Sequence, residues 1–363
     1  MKGFLECLKK EYIAVFGNGY VARDELIYLK LRDVHVDCFI VSGDYEHPSS
    51  LYGIPIFDIS SYPYDREKTV VVIGRDRLNW IETKILLNSN GFNNVYGGIT
   101  QMPIKEISHD DIKIAKRIYK ASAFSEIKDE FGSNRDVVRI CIYSVTSQQK
   151  FHNIIMDWKS QYIEHITAGA INCKEINTSY RDDIGDNISE KNRYYNELTA
   201  AYWISKNDVQ NEWIGLCHYS RVFELSDDDI ANIGSYGVDA YIPMPYKWEW
   251  DIESSFWLSM PNNKRWIKEA LNKLDPECLK YVDEFFSDKF FVHCNMVICK
   301  REIFIDLYQW MFRILDYLET KLIAEKMLTD RAMGYLGEML SNIYWLKQKE
   351  NISLCLVPLI DLF

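Results

Sequence analysis

The sequence predicts an α/β protein of two domains, and three observations carry that expectation. A chain of 363 residues is longer than a single hydrophobic core usually organises. Its first hundred or so residues alternate short apolar runs with helix-like segments, the pattern of a parallel sheet with helices on its faces. After a charged stretch that ends in the turn-rich "FGSNRD", a new apolar run opens a second α/β unit. The expected division is a Rossmann-like domain over 1–105, a helical linker over 106–135 and a second domain over 136–363.

In the first domain, "YIAVF" (12–16) reads as a strand, 20–32 as a helix and "VDCFIV" (36–41) as a second strand. "TVVVIG" (69–74) is a third strand, "RLNWIETKILLNSNGF" a helix closed by Gly91, and "NVYG" a fourth strand. Between the first strand and helix lies "GNGYVA", a G-x-G-x-x-A loop. Gly17 permits the tight turn, and Gly19 would let a phosphate approach the helix start, where free amides favour anions. Asp44, just past the second strand, stands where a ribose-binding acid is expected. The competing reading is a plain structural turn with no ligand.

Composition narrows the function. Hydrophobic residues make up 47% and charged residues 26%, an ordinary globular balance, with no apolar run of about 18 residues to span a bilayer. The start, "MKGFLECLKKEYIAVFGNG", lacks the apolar core of a signal peptide, so a cytoplasmic location is expected, with peripheral attachment to the inner face of a membrane compatible with it. Nine cysteines with no CxxC pair argue against a disulfide framework or a zinc cage and for buried packing residues. A net charge of -11 argues against a nucleic-acid surface.

The second half holds the remaining candidate sites. "GDNISEKN" packs Asp186, Asn187, Glu190, Lys191 and Asn192 closely enough to hold a polar ligand or to brace a neighbouring loop. "IGLCHYSRVF" ends a buried strand in His218, Tyr219, Ser220 and Arg221, at the edge where ligands bind in open α/β sheets. Arg221 could pair with a diphosphate or carboxylate, and His218 could donate to a phosphate or a departing oxygen. "FFVHCNMVIC" reads as a strand over 290–299, with His293 and Asn295 on one face. In the helix-like "TDRAMGYLGEMLSNIYWL", Arg331, Gly334, Glu338 and Asn342 recur at spacings of three and four, and the gap at Gly334 suggests a close approach to the backbone.

Four blocks in order, "GDNISEKNRYYNELTAAYWISKN", "WIGLCHYSRVF", "HCNMVICKREIF" and "DRAMGYLGEMLSNIYW", resemble the bacterial capsular and exopolysaccharide glycosyltransferases catalogued as domain of unknown function 4422, over roughly 137–350. That resemblance implies a glycosyltransferase A-like fold. It also implies a nucleotide-sugar donor, UDP-galactofuranose or another UDP-hexose, and a growing or lipid-linked capsular, exopolysaccharide or O-antigen acceptor. The family block usually runs His-Tyr-Arg-Arg-Tyr-Phe, so Ser220 is a departure and Arg221 the retained arginine. The first domain, through "IAVFGNGYVA", "VDCFIVSGD", "LYGIPIFDI" and "TVVVIGR", resembles the small Rossmann-like domains of bacterial sugar-modifying enzymes.

Sugar transfer from a nucleotide must neutralise a departing diphosphate, which metal-dependent members of that fold class do with an Asp-x-Asp pair. The D-x-D spacing here, Asp227 to Asp229, reads instead as a helix start capped by Ser226. Arg221, His218 and Lys191 are therefore expected to carry much of that charge, with no cofactor required, although manganese or magnesium on other carboxylates is compatible. Glu338 is the first candidate for the general base, with Asp330 and Glu197 in reserve. Two other functions compete: a nicotinamide-dependent oxidoreductase acting on a sugar, from "GNGYVA" and Asp44, and a non-catalytic module that binds glycans or nucleotide sugars.

Overall fold

A computed structural model describes residues 12–30, 34–43, 47–74, 80–96, 108–130, 138–146, 160–174, 176–248, 251–256 and 262–361. The chain forms two compact units, Met1–Glu106 and, in the main, Ile107–Ser254 with Asn262–Phe363. Among the described residues, no helix is long and apolar enough to cross a membrane.

The first unit contains β1 (Tyr12–Phe16), α1 (Tyr20–Lys30), β2 (Cys38–Val41), β3 (Ser50–Leu51), β4 (Ile54–Asp58), β5 (Thr69–Ile73), α2 (Trp80–Ser89) and β6 (Asn94–Tyr96). Its sheet runs β3-β4-β2-β1-β5-β6, parallel throughout except for the β3–β4 hairpin. The order reverses direction at β1, the switch point of doubly wound sheets. Both faces of the strands are apolar because successive side chains alternate. Ile13, Val15, Val70 and Val72 pack on one side, and Ala14, Phe16, Val71 and Ile73 on the other. β4, "IPIFD", is short and carries a proline, so its sequence gives no clear strand signal, and pairing with β2 defines it.

At the end of β1, Gly17 takes φ +111°, and a Cβ there would stand 2.7 Å from the carbonyl oxygen of Gly74. Gly17 thus serves the close approach of the β1 and β5 ends. Around Gly19, where α1 begins, an added Cβ would meet nothing within 4 Å among the described residues. Asp44 lies outside the described residues.

The second unit begins earlier than expected. Residues assigned to a helical linker instead build α3 (His109–Tyr119), β7 (Ser122–Ala123) and α4 (Phe124–Glu130). β7 pairs with a late strand, and Tyr119 is buried, so the segment is integral to this unit. There follow β8 (Ile140–Thr146), β9 (Ile163–Thr167), β10 (Tyr180–Arg181), α5 (Asn192–Tyr195), α6 (Leu198–Asn207), β11 (Trp213–His218), β12 (Arg221–Phe223) and α7 (Asp227–Ala231). β13 (Ala240–Pro243), β14 (Tyr246–Lys247), α8 (Ile252–Phe256), α9 (Asn263–Leu274), α10 (Leu279–Ser287), β15 (Phe290–Phe291) and β16 (Val297–Lys300) come next. The chain closes with α11 (Arg301–Ala324), α12 (Ala332–Gln348), β17 (Leu354–Val357) and β18 (Leu359–Asp361).

The main sheet runs β10-β9-β8-β11-β16-β13-β17-β7, with β12 and β18 beside it. β10, β9, β8 and β11 are joined by parallel pairings, as are β13, β17 and β7, and β16 is antiparallel between β11 and β13. The start of β16 therefore lies at the same edge as the end of β11, where Leu216 pairs with Val297. Gly215 lets the neighbouring strand pack close: a Cβ there would meet Ile142 at 2.7 Å.

The strand expected over 290–299 is interrupted. β15 stops at Phe291, and Cys294 (φ 78°) and Asn295 (φ 50°) adopt left-handed backbone before β16 starts. Alternation does not hold through such a turn, so His293 and Asn295 do not share a strand face. Arg331 likewise lies just before α12, with φ 66°, and not on the helix face with Glu338.

Candidate active site

The carboxyl edge of β11 is where chemistry concentrates. Two residues, Tyr219 and Ser220, turn the chain, and His218 pairs directly with Arg221 across the resulting antiparallel contact. The tight turn explains the local motif: an imidazole and a guanidinium are set side by side at a sheet edge. Cys217, one residue earlier, is buried and its thiol is pushed up to about 12 by burial, so it packs the core.

Three distant segments converge on this pair. The left-handed turn of Cys294 and Asn295 brings the first: Arg221 Nη1 donates to Cys294 Sγ at 3.0 Å. From α12, Glu338 accepts the Cys294 amide hydrogen at 3.2 Å. Glu197, before α6, accepts from Asn295 Nδ2 at 2.8 Å. Burial and then the charge of Glu197 raise the Glu338 carboxyl to about 8, while the Cys294 amide, Arg331 and Arg221 pull it down. His218 moves down, chiefly through burial, with Glu197 opposing and Arg221 reinforcing the shift. Its Nε2 is shut off from solvent and meets no hydrogen-bond partner among the described residues, although the residue as a whole is half-buried.

His293 is held in an aromatic group. Its ring stacks on Trp248 at 5.6 Å and lies 4.8 Å from Tyr246 and 4.4 Å from Phe291. Burial and then Arg221 push it down to about 3, so it is a neutral ring at physiological pH. Asn295, expected to contact a ligand, turns inward: Nδ2 also donates to the Gly334 carbonyl at 3.2 Å, and Oδ1 accepts from Ser341 at 3.2 Å. The gap at Gly334 admits the protein's own chain, since a Cβ there would meet Asn196 Nδ2 at 3.1 Å.

The "GDNISEKN" residues brace loops. Tyr202 donates to Asp186, Asn187 bonds within its own turn, and Asn192 Nδ2 reaches the Asn196 carbonyl and Thr199. Lys191 pairs with Glu319 at 2.6 Å and lies over the Tyr195 ring, which commits the cation expected at the diphosphate. Glu190 is exposed. Asp330, a reserve base, is an exposed partner of Arg193, whereas the other reserve, Glu197, is in the cluster. Tyr219 is half-buried in the turn and Arg331 exposed at the rim.

The D-x-D pair does not fit a metal. Asp229 takes the Ser226 amide and hydroxyl in a capping box and pairs with Lys128 at 2.8 Å. Among the described residues, no three His, Cys, Asp or Glu side chains gather as a cation would require.

Two fully buried polar groups support the fold around the site, one singled out in the sequence and the other not. Asn342, fully buried, accepts from Tyr119 and the Val292 amide and donates to the Val292 and Glu338 carbonyls. Asp182, also fully buried, accepts from the Gly169 and Ala170 amides and from Ser189. Asn342 falls one helical turn after Glu338, the spacing by which the sequence singles it out; nothing local marks Asp182 out from its acidic neighbours. A polar cavity of about 560 Å³ lies elsewhere, at the starts of β8 and β11, lined by Arg139, Asn211, Glu212 and Arg301. None of the clustered groups lines it, and ligand chemistry in such sheets belongs to the other edge.

The second unit is a mixed α/β fold, a largely parallel main sheet with β16 reversed inside it and a polar cluster at its carboxyl edge. A solved structure shares it: the WbbM bifunctional glycosyltransferase in its apo form, with 21% identity and a TM-score of 0.50 over 61% of this chain. The chain spans 45% of that protein's length. Residues 149–350 match the family described as Domain of unknown function (DUF4422), and the chain belongs to that family. No curated protein matches the sequence.

Proposed function

We propose that the second unit is a hexosyltransferase that moves a sugar from a nucleotide-sugar donor to a growing glycan. The observation that supports this best is the pairing of Arg221 and His218 at the carboxyl edge beside the half-buried Glu338, whose carboxyl is raised to about 8. Arg221 faces the departing diphosphate, where a fixed cation stabilises developing negative charge without reorganisation. Glu338, once ionised, accepts the proton of the acceptor hydroxyl, and its matched pKa suits a base working near neutral pH. The aromatic group around His293, next to Arg221, offers ring surface to a sugar.

UDP-galactofuranose and other UDP-hexoses are the first donors to test, with capsular, exopolysaccharide or O-antigen type glycans, free or lipid-linked, as acceptors. A screen of UDP-, GDP-, CMP- and TDP-sugars against the purified protein should give saturable hydrolysis or transfer with one of them. Activity should rise with pH through about 8 as Glu338 ionises. Binding without turnover of any donor would leave a glycan- or nucleotide-sugar-binding module. Arg221 takes over the role a metal plays elsewhere in the fold class, so turnover should survive EDTA; complete loss with recovery on manganese or magnesium would refute that.

A second reading concerns the first unit alone. The open space over Gly19 at the start of α1 supports a phosphate-bearing ligand at that turn. Fluorescence titrations with NADH and with UDP-sugars separate a nicotinamide site, and with it the oxidoreductase alternative, from a nucleotide-sugar site.

A further inference from the structure

Two consecutive non-glycine residues in left-handed backbone, both buried, are costly and persist only where their surroundings fix them. Cys294 and Asn295 are fixed from every side. Tyr308 donates to the Asn295 carbonyl at 3.2 Å, and Ser341 donates to its side-chain oxygen. Both hydrogens of Nδ2 are used, on Glu197 Oε1 and on the Gly334 carbonyl. One side chain therefore ties the acid preceding α6 to the first turn of α12, the helix that carries Glu338. The same turn gives Glu338 the Cys294 amide.

We propose that Asn295 is a positioning residue that clamps the Glu197 carboxylate beside the turn that holds Glu338, so that the charge of Glu197 acts on Glu338 in addition to burial. Glu197 is half-buried, and without the Asn295 amide its side chain is free to swing towards solvent. The other groups that act on Glu338 are Arg221 from β12, Arg331 before α12 and the Cys294 amide; all three favour its ionised form. Burial opposes them most strongly and the charge of Glu197 comes second, and Glu197 is the one of these that Asn295 holds. The clamp concerns the base of the proposed transferase and in that sense rests on that reading, but its structural part is measurable without any donor or acceptor.

The test is a carboxyl ¹³C NMR titration of the full chain labelled at glutamate, with the Glu338 resonance assigned by its loss in Glu338→Gln. In Asn295→Ala the Glu338 midpoint should fall by about one pH unit, a tenfold weaker hold on the proton. In Asn295→Asp, which adds a negative charge at the same place, it should move the opposite way. A purely structural role would shift both variants alike. Should either variant fail to fold, Glu197→Gln keeps the shape and removes the charge, and it should lower the Glu338 midpoint as Asn295→Ala does. On the Glu197→Gln background, Asn295→Ala should add nothing. An unmoved midpoint in Glu197→Gln, or equal shifts in Asn295→Ala and Asn295→Asp, overturns the clamp. If the midpoints move as expected while no nucleotide sugar is turned over, the clamp stands and the transferase reading falls.

Discussion

The two units each end a parallel strand in a polar turn, and the two turns are built by opposite means. In the first, β1 runs into Gly17 and Gly19, and what it offers is backbone: the amides at the start of α1, with open space above Gly19. In the second, β11 runs into His218 and Arg221, and what it offers is side chains, backed by Glu197, Cys294 and Glu338 from three other segments. A backbone site can be written in six consecutive residues. A side-chain site that needs a shifted proton must gather groups from across the chain, because a carboxyl is raised only by burial and by a neighbouring charge.

Four experiments break or sharpen that contrast. The largest effect is expected from Arg221→Ala, which should cut transfer by about 100-fold or more while leaving the thermal transition near that of the parent. Nucleotide binding by the first unit, if present, should not change; isothermal calorimetry beside the transfer assay reads both.

Asn342→Ala tests how far the side-chain site depends on its scaffold. It strips partners from the Val292 backbone, the Glu338 carbonyl and the Tyr119 hydroxyl. A loss of about 3 kcal/mol is expected in urea unfolding, from several buried groups left unpaired. A change under about 1 kcal/mol would show that the turn holds without it.

Glu338→Gln should next separate function from stability. Because the folded carboxyl is raised from 4.5 to about 8, the native state holds a proton that the unfolded chain releases. Glu338 costs nothing below about pH 4.5, and stability falls as pH climbs from there to about 8, because over that range only the unfolded chain gives up the proton. Glu338→Gln should therefore melt at the parent temperature at pH 4.5 and a few degrees above it at pH 8.5. Transfer should meanwhile drop by about 100-fold or more. Equal melting temperatures at both pH values would remove the raised carboxyl from the account.

The smallest effects belong to the backbone site. Gly17→Ala should destabilise the first unit by about 1–3 kcal/mol, since a side chain at φ +111° would also crowd the Gly74 carbonyl. Gly19→Ala should stay within about 0.5 kcal/mol of the parent in the same melting experiment. Any nucleotide affinity lost in Gly19→Ala would then mark a bound phosphate, and unchanged affinity would make the loop a structural turn.

What the sequence determined by itself follows from local rules. Apolar runs such as "YIAVF", "TVVVI" and "WIGLCH" are strands because alternation and burial suffice to define them, and the capping box at Ser226 is legible in "SDDD". The blocks that resemble the family also placed His218, Arg221 and Glu338 among the candidates. Only the tertiary structure decided that α3 and β7 belong to the second unit, because Tyr119 is anchored by Asn342, 223 residues away. It also decided that Lys191 is spent on Glu319 and that Asn295 faces inward from a left-handed turn. A backbone turn with positive φ, a half-buried carboxyl and the charge that helps raise it are properties of contacts between distant segments. Local periodicity carries no record of them.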